Sequence, residues 1–188
     1  MKKLLKQFTV RDLVLIAALA SLGIAIKPVV VPLAHLVSTP LMIPGGALAG
    51  GLYMMWIVVA FGLTGKRGTA FLVGFVQAIL VMITGVSGSH GAMSLISYTA
   101  PGLLVDLVFL AARKKITSMP LSMLAGMLAN LAGTACVNVI FFSLPLIPLL
   151  LSLCVSAFSG GVGGVIAWLL LEALAKYGVG RKTDEDEN

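Results

Sequence analysis

The strongest constraint on this chain is that its apolar residues gather into six long runs, at about 10–26, 42–64, 69–86, 93–112, 120–142 and 148–174, each ended by charge, Pro or Gly. A bilayer core of about 30 Å is crossed by roughly 20 helical residues, so each run suits one crossing. Composition agrees, with 59% hydrophobic and 11% charged residues and a mean hydropathy of +1.08, outside the range of a soluble domain. The expected fold is an all-α membrane protein, a six-transmembrane-helix bundle. No polar stretch is long enough to fold separately, so 1–188 reads as a single integral membrane domain: a basic N-terminus at 1–9, the helical bundle at 10–175 and a charged tail at 176–188.

Lys2, Lys3 and Lys6 before the first run resemble the start of a secretory signal. No small-residue cleavage site follows, and the run is expected to be retained. Basic residues favour the cytoplasmic side of short loops. Lys2, Lys3, Lys6 and Arg11 precede the first run, Lys66 and Arg67 join the second to the third, Arg113, Lys114 and Lys115 join the fourth to the fifth, and Lys176, Arg181 and Lys182 follow the sixth. Only Lys27 falls on the other side. A multi-pass protein of the cell membrane with both termini cytoplasmic follows. The net charge of +6 is thus a topology signal and an attraction to anionic lipid heads. With no aromatic-interleaved basic patch, a nucleic-acid partner is not expected.

Polar residues inside the runs must face protein or water, because lipid cannot satisfy them. Asp106 lies in the fourth run, seven residues before Arg113, about 10 Å from the cytoplasmic interface at 1.5 Å per residue. It forms a stripe with Tyr98 and Gly102 at four-residue spacing. The acid is either a substrate or proton contact or a structural group that ties two helices together. Asn130, Thr134 and Asn138 recur every four residues in the fifth run, offering donors and acceptors along one face, to a solute or to a neighbouring helix. Gln77 and Thr84 make a weaker stripe in the third. The uncharged polar loop TGVSGSHGAMS, residues 84–94, reads as a lid in which His90 is either a ligand contact or a surface residue. His35 is a weaker candidate, and the two histidines lack metal-site spacing. No metal is expected.

Small residues mark close packing. Ala17, Ser21 and Ala25 form a smooth ridge at four-residue intervals on the first run, suited either to a partner helix or to the bundle interior. The glycine clusters Gly45, Gly46, Gly50, Gly51 and Gly160, Gly161, Gly163, Gly164 read as packing inside the bundle. GLTGKRG at 62–68 lacks the spacer and Ser/Thr of a phosphate-binding loop, so the chain is not expected to hydrolyse ATP itself. Cys136 and Cys154 lie in spans without metal or redox spacing, and no paired catalytic carboxylates are present.

Six helices in under 200 residues, cytoplasmic termini, the first-run ridge and the polar loop after the third run resemble the substrate-binding S component of energy-coupling factor vitamin transporters. Gly50, Gly51, Tyr53 and Met54, then Lys66 and Gly68, then Gly102, Asp106 and Phe109 are similar to the branch linked to the hydroxymethylpyrimidine moiety of thiamine. The resemblance implies a subunit without enzyme activity that captures a vitamin-like small molecule outside. It also implies no cofactor bound by this chain, and partners that supply work: a transmembrane coupling subunit and two ATPase subunits that use ATP. It implies toppling of the bundle in the lipid bilayer, with Ala17, Ser21 and Ala25 as docking surface. The pocket is then expected in the outer halves of the third to sixth helices, from Gln77, Thr84, His90, Tyr98, Asn130, Thr134 and Asn138, with Asp106 as a supporting polar residue. The alternatives are a membrane-embedded enzyme using Asp106 or His90, and an autonomous proton-coupled carrier with Asp106 as proton site.

Overall fold

The computed structural model describes residues 7–85, 91–112 and 118–179. Among them every regular element is helical: α1 (Val10–Ala25), α2 (Lys27–Ser38), α3 (Gly45–Thr64), α4 (Thr69–Thr84), α5 (Ser94–Ala111), α6 (Met119–Val137) and α7 (Leu146–Lys176), with a 3₁₀ turn at Thr39–Leu41 and a π turn at Asn138–Phe142. Five stretches are long and apolar enough to cross a membrane: Val10–Leu41, Gly45–Thr64, Gly91–Ala111, Met119–Phe142 and Leu146–Lys176. Thr69–Thr84 is a shorter apolar helix, about 24 Å long at 1.5 Å per residue.

One element departs from the sequence reading, which left 27–41 as a connecting stretch. It folds as α2, a near-continuation of α1. Pro28 can enter because a proline in the first turn of a helix costs no hydrogen bond there. Its missing N–H marks the break between α1 and α2.

The helix α3 is the axis of the bundle, buried over most of its length, and Ile57, Val58, Val59 and Ala60 have no exposed surface. It is flanked by α7 and α2, α1 lies against α3 and α4, and α5 sits between α4 and α6. Phe61 of α3 stacks on Phe109 of α5 with ring centroids 4.1 Å apart. The glycine clusters set the approach of α3, α6 and α7: a Cβ on Gly163 would fall 2.1 Å from the Gly51 carbonyl oxygen, and one on Gly126 2.3 Å from that of Gly160. No side chain fits there, so the backbones themselves touch.

Asp106 is placed by the turn between α3 and α4. Its Oδ1 accepts from the Gly68 N–H at 3.1 Å and its Oδ2 from the Phe71 N–H at 2.9 Å. The first N–H groups of a helix have no partner within it, and Gly68, the residue before α4, has no side chain to supply one. Asp106 therefore caps α4 from α5, doing across two helices what a capping side chain normally does within one. Beside it, Lys66 forms a salt bridge with Asp12, which also accepts from the Thr9 N–H and hydroxyl at 2.7 Å, and Gln7 Nε2 donates to the Arg67 carbonyl at 2.7 Å. The polar groups of this end of the bundle are matched to one another.

An amide has one acceptor oxygen where a carboxylate has two. Asp106→Asn is expected to lose one of the two backbone bonds and Asp106→Leu both, the latter at about 1–3 kcal/mol for each orphaned N–H. Thermal unfolding in detergent should rank wild type above Asn and Asn above Leu, with ligand binding retained in the Asn variant. Loss of binding at an unchanged midpoint would make the carboxylate a ligand contact instead.

Candidate functional site

A cavity of about 460 Å³ opens at the end of the bundle away from the Lys66–Arg67 turn. It is bounded by α2 through Lys27, Val31 and His35, by the first half of α3 through Ala47, Tyr53 and Met54, by the start of α5 through Ser97 and Tyr98, by the end of α6 through Thr134 and Val137, and by Asn138 at the start of the π turn. Phe142 completes it from the π turn. A π turn adds a residue to the helical repeat and is common beside functional sites. Here it carries Asn138 and Phe142 together onto the cavity wall, and the chain then reverses through Ser143, whose φ is +43°.

The three residues of the α6 stripe meet different surroundings. Asn130 is sealed in the bundle, its Nδ2 donating to the Ala47 carbonyl at 3.0 Å and the Ser156 carbonyl at 2.9 Å, so it ties α6 to both α3 and α7. Gly50 makes room for it, since a Cβ there would fall 1.8 Å from Asn130 Oδ1. One and two turns further on, Thr134 and Asn138 line the cavity. Asn138 keeps only a long bond from Nδ2 to the Thr134 carbonyl, at 3.4 Å, and its Oδ1 has no partner among the described residues.

Tyr98 is on the cavity wall, whereas no residue of α4 reaches it. Gln77 is buried against α1, its Nε2 lying 2.3 Å from where a Cβ on Gly23 would stand, and neither end of its amide has a partner among the described residues. Thr84 is exposed, with its hydroxyl donating to the Leu80 carbonyl at 2.7 Å. Gln77, Thr84 and Asn130 therefore stand off the cavity that holds Tyr98, Thr134 and Asn138. The cause is that seven-residue or four-residue spacing picks a helix face but not the neighbour that covers it. His90 lies outside the described residues. Asp106, on α5, belongs to the opposite end, where it caps α4.

The sequence reading passed over Lys27, which it treated only as a charge on the outer side. Lys27 is the first residue of α2 and 4% exposed. Its Nζ donates to the Tyr98 hydroxyl and stands 4.8 Å from the Tyr53 ring centroid and 4.7 Å from that of Tyr98. The Tyr53 hydroxyl donates to the Gly46 carbonyl at 3.0 Å, which holds its ring in place. The available signal was a lone cation between Ile26 and Pro28 in an apolar run, as anomalous there as Asp106 is in its own. His35 and Ser97 were likewise set aside or unremarked, and both line the cavity.

A second cavity, of about 630 Å³, lies at the other end beside Asp12, Lys66 and Arg67. There Asp12 is neutralised by Lys66, whereas the first cavity holds Lys27, Ser97 Oγ and Asn138 Oδ1 with hydrogen-bonding capacity unused. The first is the better ligand site, being apolar with a few convergent polar groups.

Two substitutions separate wall from interior. Asn138→Leu is expected to weaken ligand binding at an unchanged melting midpoint. Gln77→Met keeps the volume and removes two unpaired buried polar atoms, and should raise the midpoint while leaving affinity alone. Calorimetry and thermal unfolding in detergent check both.

The search among curated proteins gives no match for this sequence. In structure, the chain is similar to a protein described as the crystal structure of an S-component of ECF transporter, with a TM-score of 0.70, 21% identity, and coverage of 92% of this chain and 88% of that one. In sequence, residues 11–132 match the family model described as the ABC-type cobalt transport system, permease component. With its apolar spans, its cavity and this match over more than half its length, the chain is a multi-pass membrane transport component with the fold of an S component, and it belongs to the ABC-type cobalt transport system permease component family.

Proposed function

We propose that the chain is the substrate-capturing membrane subunit of an ABC-type uptake system of the energy-coupling factor kind. The observation that carries this reading is the cavity of about 460 Å³ built into an S-component fold, with polar groups left unpaired on its wall. That volume lies within the range of roughly 300–1,000 Å³ usual for small-molecule sites. With the basic ends of the helices taken as cytoplasmic, the cavity faces outward and the Asp12–Lys66 end inward. Work would come from a transmembrane coupling subunit and two ATPases, since GLTGKRG offers no nucleotide site.

Within this class the substrate is a vitamin or vitamin precursor related to hydroxymethylpyrimidine or thiamine. Supporting it are the matches at Gly50, Gly51, Tyr53, Met54, Lys66, Gly68, Gly102, Asp106 and Phe109 and the rings of Tyr53 and Tyr98 at the cavity, which suit a flat heteroaromatic. The family description suggests a metal cation as cargo instead. The donor set argues against this: the charged group on the wall is an ammonium, which repels a cation, and among the described residues no three of His, Cys, Asp and Glu come together. The proton-coupled carrier loses its main support and the enzyme one of its two candidate groups, because both Asp106 oxygens accept backbone N–H groups at the far end of the bundle.

Ala17, Ser21 and Ala25 are all exposed on α1, beside exposed Leu13, Val14 and Leu22. The ridge is thus free to meet the coupling subunit, and an apolar exterior suits a bundle that topples in lipid. Ser21 Oγ donates back to the Ala17 carbonyl at 2.8 Å, leaving the ridge without an unpaired hydroxyl proton.

Mass spectrometry of the small molecule that copurifies with the chain tests the substrate class, and a metal ion in its place would overturn it. Uptake in cells with and without the ATPase partners tests the mechanism, since persistence without them would mean an autonomous carrier. Ala17→Trp and Ser21→Trp should abolish uptake while binding persists. Equal loss of both would place the ridge in the ligand site or the fold.

A further inference from the structure

The cavity contains a buried cation, and none of the described residues on its wall is a carboxylate. The acids among the described residues are Asp12, Asp106 and Glu172. Asp12 is paired with Lys66, Asp106 holds the start of α4, and Glu172 is in the last turns of α7; all three belong to the end of the bundle opposite Lys27. An ammonium buried without a counter-ion carries a large desolvation penalty, which hydrogen bonds and ring contacts offset only in part.

Lys27 has three N–H donors. One goes to the Tyr98 hydroxyl, and the nearby Tyr53 hydroxyl is committed to Gly46. Next to Tyr98 on α5, Ser97 lines the same cavity, and its hydroxyl is 3% exposed at the residue level and without a partner among the described residues. Among the described residues the wall therefore offers an ammonium with donors to spare and an unpartnered hydroxyl, set beside two aromatic rings. A neutral solute would leave the charge uncompensated, and a cationic one would add repulsion. An anion makes short charge-assisted bonds to such a group.

We propose that Lys27 is the anion subsite of the cavity and that the ligand carries a carboxylate or a phosphate ester, with Ser97 as a second donor. This rests on the reading of the cavity as the substrate site, and within the pyrimidine class it selects an acidic or phosphorylated form over the free alcohol and over the cationic thiamine.

The test is calorimetry on the full chain in detergent, at fixed pH and ionic strength. The probes are 4-amino-5-hydroxymethyl-2-methylpyrimidine, its phosphate ester, its 5-carboxylate analogue and thiamine. In the wild type at least one anionic probe should bind about tenfold or more tighter than the alcohol, as a charge-assisted bond permits. Which anion wins separates a phosphate site from a carboxylate site. Lys27→Met should bring anion and alcohol to within about twofold of each other, while Lys27→Arg keeps the preference. Lys27→Gln, which retains a donor for Tyr98, serves should the Met variant fail to fold. Equal binding of anion and alcohol to the wild type, or an anion preference that survives in both neutral variants, overturns the proposal while leaving the substrate-site reading intact. If no pyrimidine binds at all, that substrate class falls and the subsite is judged on phenyl phosphate and benzoate against benzyl alcohol: thermal stabilisation by an anion that is lost in Lys27→Gln supports it, and none in the wild type overturns it.

Discussion

A bilayer offers no water to hydrogen-bond what a protein leaves unpaired, and the bundle is arranged around that constraint. Its clearest expression is the Asp106 carboxylate on the N–H groups of Gly68 and Phe71. The turn between α3 and α4 needs Gly68 in the left-handed region, at φ +84°, so the residue at the start of α4 cannot cap its own helix. An acid on α5 does so instead. The two helices and the turn are thereby set as one unit, with Asp12 and Lys66 closing the same end.

The same economy runs through the interior. Asn130 spans α3 and α7 with one amide, and Ser159 accepts from the Gly51 N–H at 3.0 Å where the two glycine clusters meet. These bonds are possible because the clusters bring backbone against backbone, within a distance that any Cβ would obstruct. Packing and polar satisfaction are here one device: glycine removes bulk, and the short polar side chains use the proximity. The cavity gathers Ser97, Asn138 and Lys27, whose polar groups remain incompletely answered, whereas Ser38, Trp56, Gln77 and Ser122, also without side-chain partners among the described residues, lie off it. Unused hydrogen-bonding capacity gathered around one cavity is what a ligand can complete.

Much of the architecture was legible from the sequence because its cause is local. Length and apolarity define a membrane helix, and α1 and α3 to α7 follow the six runs. The stretch 27–41 does not read as a span because Pro28, Pro32 and Pro40 signal breaks, yet Pro28 is tolerated at the helix start and Pro32 is carried inside α2. The site was less legible. Tyr98, Thr134 and Asn138 reach the cavity, while Gln77 and Asn130, with equally good periodicity, are covered by α1 and by α3 with α7. Periodicity reports which residues share a face and nothing about the helix that packs upon it.

The sequence by itself determined the medium, the number of apolar runs, the small-residue ridge of Ala17, Ser21 and Ala25, and the presence of a polar residue where lipid cannot satisfy one. These are properties of a segment and its solvent, and they need no knowledge of neighbours. Only the tertiary structure decided that Asp106 belongs to the start of α4, that Asn130 binds helices together, and that Lys27 enters a cavity beside Tyr53 and Tyr98. Each depends on a partner at least 26 residues away in the chain. A side chain's role in lipid is set by whichever distant group meets its charge or its hydrogen bonds.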